Sequence, residues 1–577
     1  MAQYGLSIPT WDDWNIIPYA AGREPITWGW LWSFHMDHRI PLPRLLFVAL
    51  FRLSGGDVRA VMLLNVLLLS GAALLGMLVA RQRTGHTRVT DALIPLSLVG
   101  IANYANLLSA NQIQYISSIA LFAVVVYLLM GRPEWFGLST VAVIGICSIC
   151  LPLTGSTGLA LTIPLIAVLP LAAWQHRERR ERSVRLARWL AVLVAVVLVA
   201  LVAAYNVFGE RPDSAVSQPA SSIQEMFVTI AQFAAVSFAA PPFSFSTPAR
   251  LSNSLPGMVT AYFSADWVAR TWRLRAVVLL SALGIAVIGL VLPLVRRQRP
   301  MRQALGALGC LAAVGTLAFA IGYARGSALE QRYITLGAVL LVVTYLCLRL
   351  VRHSAATAAS WALLMISLVL LPWNVFQAIS FGETRRAFEA DLVSDIRAGV
   401  PVDVLGTRYY EHLWGDPSLA TSVLKEMRDD NIGPFASGDL VLNEAPPAVV
   451  AEQALSKAPT SAHNMSLLGD KWSGRGSDSY LLYAVDSPHV VGVRLKYRLS
   501  NATSSPALLQ VAWSSRASTA EFDQPGHVFV RSSARADGQP EEVVAWIDAP
   551  VNTLRVTPDN KATSFTLDEI VLLLSSS

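Results

Sequence analysis

Two polar clusters near the amino terminus carry the residue types that could do chemistry. Trp11-Asp12-Asp13-Trp14 sets two adjacent carboxylates between tryptophans. Either carboxylate could take the proton of an acceptor hydroxyl or help hold a divalent cation. The structural alternative is a helix cap or turn built from Thr10-Trp11-Asp12-Asp13. The second cluster is His35-Met36-Asp37-His38-Arg39. If helical, it puts His35, His38 and Arg39 on one face, where Arg39 could bind a phosphate with imidazole donors beside it. A His/Asp metal site is the rival, but no third or fourth ligand is identifiable; a polar belt at a membrane surface is the structural alternative. A third group lies far along the chain, in Gly322-Tyr323-Ala324-Arg325 and Glu330-Gln331-Arg332-Tyr333. Arg325 and Arg332 there suggest an anionic partner, a lipid-linked phosphate being the natural candidate, unless Glu330 simply pairs with one of them.

The elements that must position these groups are membrane spans. Of 577 residues, 54% are hydrophobic and 15% charged, against about 25% charged in soluble proteins. The acids between Val58 and Ala378 are Asp91, Glu134, Glu178, Glu181, Glu210, Asp213, Glu225, Asp266 and Glu330, all at or between the ends of apolar runs. Ten spans are expected, at 58–80, 91–109, 112–130, 136–152, 155–174, 187–208, 275–295, 303–323, 332–351 and 358–378, each near the ~20 residues that cross a bilayer core. The basic stretches Arg81–Arg88, His176–Arg188, Arg296–Arg302 and Arg349–His353 fit a single cytoplasmic side. Residues 1–57, 209–274, 324–331 and 379–577 then face outward, so both polar clusters and the late arginines share a compartment. An outward amino terminus with no span before Trp11 is unusual, and a first span upstream of Met1 is the simpler expectation.

The net charge of +6 reflects those basic stretches and is no nucleic-acid signature. Cys147, Cys150, Cys310 and Cys347 all lie in apolar runs; the Cys147/Cys150 spacing suits a metal or redox pair, but no second pair accompanies it. Pro41–Leu53 is too short to span and reads as an interfacial helix. Ser222–Ala240 is apolar and ends in Pro241-Pro242; it reads as re-entrant or interfacial, or as one arm of a hairpin with 255–272. The span centres lack ionisable residues, which argues against an ion-coupled transporter. Asn65, Asn103, Asn106, Asn111, Gln112 and Gln114 are polar positions that could glue helices.

The remainder looks soluble. Residues 379–437 read as a helical connector, with amphipathic stretches at Arg385–Ile396 and Leu419–Asp430. Residues 438–577 alternate apolar and polar in short runs at 480–485, 490–497, 507–513, 528–531, 542–547, 553–556 and 569–574, the pattern of a β-sandwich of jelly-roll type. The expected fold is thus a polytopic α-helical membrane protein with an outer first loop (1–57), a transmembrane domain (58–378), the connector and a β-sandwich.

Taken together, these features resemble the GT-C superfamily of membrane glycosyltransferases. Trp11-Asp12-Asp13-Trp14 sits where the acidic motif of their first outer loop would be. His35-Met36-Asp37-His38-Arg39-Ile40-Pro41-Leu42-Pro43-Arg44-Leu45 is similar to a Glu-His-Arg-Ile-x-x-Pro-Arg-Leu stretch of bacterial members, with Asp37 in place of Glu. Arg325 and Arg332-Tyr333 look like their late outer-loop arginines, and the tail resembles carbohydrate-binding β-sandwiches. The resemblance implies an inverting enzyme on the outer face of the cytoplasmic membrane, using a polyprenyl-phosphate sugar donor and a glycan or lipid acceptor. Asp12 or Asp13 would be the general base, Arg325, Arg332 and Arg39 would neutralise the leaving phosphate, and His35, Asp37, His38 and Tyr333 would line the substrate site. No cofactor is required, and a divalent cation is optional. The alternatives are a non-catalytic, membrane-anchored glycan-binding component and a lipid or glycan transporter.

Overall fold

The computed structural model describes residues 3–131, 137–175, 181–207, 219–239, 265–296, 301–325, 329–469, 471–474, 479–501, 507–515, 522, 527–534, 537–558 and 562–575. The end of the 222–240 run, Pro241-Pro242 and most of the proposed partner arm 255–272 lie outside them, as do Glu134, Glu178, Glu210 and Asp213. The chain divides into two compact units: Met1–Gly5 with Asn15–Thr384, and Leu6–Trp14 with Arg385–Ser577.

The first unit is helical. It begins with α1 (Ile17–Ala21), α2 (Trp28–Trp32), a two-stranded hairpin β1 (Phe34–His35) and β2 (His38–Arg39), and α3 (Pro41–Leu53). Then follow α4 (Arg59–Thr84), α5 (Leu93–Leu98), α6 (Tyr104–Leu107), α7 (Ile113–Val126), α8 (Leu138–Cys150), α9 (Ser156–Gln175), α10 (Arg182–Val207) and α11 (Ile223–Val236). The last are α12 (Ala265–Arg270), α13 (Trp272–Val295), α14 (Met301–Ala324), α15 (Tyr333–Leu350) and α16 (Ser354–Arg397), whose end enters the second unit. Among the described residues, eight helical stretches are long and apolar enough to cross a membrane: α4, 110–131 around α7, α9, α10, α13, α14, α15 and α16. The expected interfacial segment is a helix with the bounds read from sequence, Pro41–Leu53.

Two of the ten expected spans differ. Leu138–Thr154 is apolar and helical but shorter than the other eight. The 91–109 run is not one helix: it is broken into α5, α6 and short 3-10 turns around Pro95 and Gly100. It nonetheless follows the length of α15. At one end Asp91 meets Tyr345 and Arg349, with Tyr345 Oη donating to Asp91 Oδ1 at 2.5 Å and Arg349 Nε 3.2 Å from the same oxygen. At the other, Asn106 Nδ2 donates to the Arg332 carbonyl at 2.8 Å. Irregular backbone can be buried only where its polar groups find partners. Asn103 Nδ2 supplies them to the Ser97, Leu98 and Gly100 carbonyls, and Asn65 Nδ2 to those of Asn106 and Ser109. The buried asparagines are therefore what lets this passage leave the helix.

α15 is apolar on every side and almost wholly buried, as a helix enclosed by others must be. It packs against α4, α5, α7, α11, α13 and α14. A Cβ at Gly337 would come within 3.0 Å of the Ser237 backbone, so glycine permits the close crossing of α11 over α15.

In the second unit, α17 (Val402–Leu413) and α18 (Pro417–Asp429) follow α16. The β-rich part holds β3 (Ala451–Ala454), β4 (Ser461–His463), β5 (Met465–Leu468), β6 (Lys471–Gly474), β7 (Tyr480–Asn501), β8 (Ala507–Ser514), β9 (Val528–Ala534), β10 (Asp537–Pro558) and β11 (Ala562–Leu574). These form one antiparallel sheet in the order β5-β6-β11-β7-β10-β8-β9, with β3 also on β11 and β4 on β7. The runs expected as separate strands at 480–485 and 490–497 are one bent strand, β7, and those at 542–547 and 553–556 are one bent strand, β10. The bend falls at register breaks between Trp546 and Thr553, opposite Pro488, which cannot donate to a ladder. One end of β7 thus pairs with the end of β10 that carries β8, the other with β11. Val493, Leu495, Tyr497 and Leu499 point into the apolar core, while Arg494, Lys496 and Arg498 point outward to Glu452, Glu569 and Asp568.

Candidate functional site

The second cluster is a hairpin and not the helix face considered from sequence. α2 is closed at its start by Thr27 Oγ1, which accepts from Trp30 N at 3.1 Å. Beyond it the chain reverses over Met36 and Asp37, with Met36 at φ 57°, and pairs His35 with His38 and Phe34 with Arg39. The histidines meet across the strands, rings edge to face at 5.8 Å.

Asp37, at the turn, is the centre of the site. His38 Nδ1 lies 2.6 Å from Asp37 Oδ1, and Arg325 Nη2 donates to Asp37 Oδ2 at 3.1 Å. The Asp37 and Arg325 side chains retain 19% and 16% of their exposure, so this ion pair is neither sealed nor solvated. Burial alone would raise the Asp37 pKa; the hydrogen bond and charge of His38, then the charge of Arg325, outweigh it and hold the carboxyl at about 2. The other nitrogen of His38, Nε2, is 2.6 Å from Gln114 Oε1. Both ring nitrogens therefore face oxygens, as in an imidazolium; a neutral ring needs the Gln114 amide reversed. Gly155, at φ +127°, closes over the same ring: a Cβ there would stand 3.2 Å from His38 Cδ2.

His35 is buried and Nε2 has no hydrogen-bond partner among the described residues. Burial, then the charges of His38 and Arg44, bring its pKa down to about 3, against the opposing pull of Asp37. It is a neutral imidazole among cations. Arg332 is near enough to add to that field; its guanidinium pairs with Glu330, Nε to Oε2 at 2.8 Å, the structural alternative raised for this loop. Tyr333 is buried at the start of α15.

Arg39 and Arg44 brace the hairpin. Arg39 donates from Nη1 to the Trp32 carbonyl and from Nε to the Tyr205 carbonyl at 3.4 Å, with its guanidinium 3.9 Å from the Phe34 ring centroid. Its backbone N–H donates to Tyr205 Oη at 2.9 Å. Arg44 Nη1 donates to the Trp30 carbonyl, to the Ser33 carbonyl at 3.1 Å and to Ser33 Oγ at 3.0 Å, capping α2.

Five helix ends gather here: the starts of α7 (Gln114), α9 (Gly155 precedes it) and α15 (Arg332 precedes it), and the ends of α10 (Tyr205) and α14 (Arg325 follows it). The cluster can hold an anion against two arginines and present a carboxylate beside it. Among the described residues no three His, Cys, Asp or Glu side chains gather as a metal site, and the four cysteines are free.

Asp12 and Asp13 belong to the second unit. Asp13 is fully buried in a 3-10 turn, Trp11–Asn15, where its Oδ2 accepts from Thr10 N at 3.0 Å. Arg385 on α16 is close enough for its charge to be felt by Asp13 and Glu389. Asp12 is half-buried.

Sequence reasoning picked out Asp37, His38 and Arg325 but not their contact. It treated Gln114 as helix glue and did not single out Gly155 or Tyr205. Neither a protein-family model nor a curated protein matches this sequence.

Proposed function

We propose that the protein is a membrane glycosyltransferase that moves a sugar from a polyprenyl-phosphate donor to a glycan or lipid acceptor. The observation that carries this reading is the Asp37–Arg325 contact, which joins the first loop to a loop 288 residues away. An anion-binding guanidinium and a carboxylate side by side are what group transfer from a phosphate needs. In the inverting step the acceptor oxygen bonds to the sugar's anomeric carbon as the bond to the phosphate oxygen breaks. The electron pair leaves with the phosphate, whose growing charge Arg325 and Arg332 offset; the acceptor proton goes to a carboxylate. Within the first unit that carboxylate is Asp37. Asp12 and Asp13 are the other candidates, and a divalent cation is an optional addition.

The gathering of five helix ends supports a common side for the site. All five are outward ends in the alternation set by the arginine-rich stretches, and the Asp91–Arg349 pair belongs to the other side. The reading therefore puts the reaction on the outer face of the cytoplasmic membrane. The β-rich part, a jelly-roll-like carbohydrate-binding sandwich in this reading, would hold the acceptor. The test is sugar release from polyprenyl-phosphate donors by the wild type and by Asp37→Asn, Asp12→Asn and Asp13→Asn. Turnover abolished in Asp37→Asn alone supports the assignment; loss only in Asp12→Asn or Asp13→Asn moves the base to the first motif. Equal turnover in all four removes carboxylate catalysis.

A further inference from the structure

Both oxygens of Asp37 are already engaged. Oδ1 faces His38, whose other nitrogen is fixed on Gln114, and Oδ2 accepts from Arg325. These engagements differ in kind. His38 is buried, packed under Gly155 and tied at both nitrogens, so its contact is part of the frame. Arg325 comes from the residue just after α14, and its pair with Asp37 is partly open to solvent. Arg325 is also the cation that an incoming phosphate would meet. The donor's phosphodiester carries one negative charge shared by two free oxygens, so it can meet a guanidinium with two parallel hydrogen bonds where Asp37 offers Arg325 one oxygen.

We propose that the Asp37–Arg325 pair is a donor-operated latch: a prenyl phosphate draws Arg325 away from Asp37 Oδ2, and only then is that oxygen free to take the acceptor's proton. This rests on the function proposed above and adds an order of events, donor before acceptor. Paired with His38 and Arg325, Asp37 is a weak base, since these partners favour the ionised form. Losing the Arg325 contact makes it a stronger base when the donor is in place, and the site is not armed toward water before that. The proton then moves from the acceptor hydroxyl to Asp37 Oδ2 as the anomeric bond to phosphate breaks, and it leaves to solvent once the product phosphate departs and Arg325 returns.

The test uses the full chain in detergent with farnesyl phosphate as probe. Binding is followed by equilibrium dialysis, and Asp37 reactivity by carbodiimide coupling to an amine with peptide mass spectrometry. Carbodiimides attack the protonated carboxyl, and removing a paired arginine raises a carboxyl pKa by ~1–3 units, so labelling of Asp37 should rise roughly tenfold or more when farnesyl phosphate binds. Arg325→Gln should show the raised labelling without the probe and no further rise with it. Binding with unchanged or reduced Asp37 labelling would overturn the latch and leave the donor class standing. No binding of farnesyl phosphate would overturn both. The wild-type comparison stands by itself should Arg325→Gln fail to fold.

Discussion

The neutral histidine at the hairpin gives a pH signature that does not depend on the reaction. His35 has an ordinary value of 6.5 in the unfolded chain and about 3 in the fold, because burial first, then the nearby charges of His38 and Arg44, disfavour its cation. The sign follows from linkage. Below pH 6.5 the unfolded chain binds a proton that the folded chain refuses, so stability falls as pH drops from 6.5 toward 3. The slope is about 1.4 kcal/mol per pH unit, or roughly 2 to 3 kcal/mol at about pH 4.5, less whatever relaxation of the hairpin recovers. Asp37 does not interfere: its carboxyl, lowered from 3.8 to about 2, stabilises the fold above the unfolded value, and that contribution is lost only as pH falls through the range below it. His412 in the second unit is brought to about 4 by burial and then by the charge of Arg385, so it gives a slope of the same sign. A comparison with His35→Gln isolates the hairpin. Apparent Tm from tryptophan fluorescence should fall less steeply with pH in His35→Gln than in the wild type, whatever their difference near neutrality. Parallel curves between about pH 7 and 4.5 would mean that His35 is not held neutral, and the account of the hairpin's electrostatics would fail.

On the function proposed above, Asp37→Asn and Arg325→Gln should each lower sugar release by roughly 10²–10³-fold, the scale of losing one stabilising group at a reacting centre. In the proposed step Arg325 meets the phosphate while Asp37 takes the proton, so the losses should roughly multiply in the double variant; a double variant no worse than either single one would show that the two act only through their mutual contact. Gly155→Ala should lose roughly 1–3 kcal/mol, because alanine must adopt φ +127° with Cβ against His38. A melting curve superimposing on the wild type would refute that packing. Asp13→Ala should cost about 1 to 2 kcal/mol by removing the acceptor for Thr10 N–H. A melting curve superimposing on the wild type would contradict the buried-cap geometry.

How much of this was legible depends on the range of the interaction that decides each element. α4 and α13 could be read directly, because a long run of apolar residues between charged ends leaves few alternatives to a helix. The 91–109 run satisfied the same composition test and still broke. Its decisive partners are side chains such as Asn65 and the Thr335 hydroxyl, which donates to Asn103 Oδ1 at 2.7 Å; composition counts those polar groups without saying where they aim. The hairpin at 34–39 failed to announce itself for a related reason. Its left-handed position is Met36, where a turn would normally show Gly, Asn or Asp. The tight reversal is held by neighbours: Tyr205 on the backbone of Arg39, and Gln114 and Gly155 on His38. The site behaves in the same way. Asp37 was noticeable as part of a polar cluster in the first loop and Arg325 as a charge in the last short outward loop, and each had its own separate rationale. Their contact exists only once α7, α9, α10, α14 and α15 bring their ends together, so the cluster is a product of helix packing. Asp13, the more conspicuous carboxylate in the sequence because it is paired with Asp12 between two tryptophans, is the less available one: it is fully buried and its Oδ2 is taken by the Thr10 N–H, the cap that the sequence offered as the structural alternative.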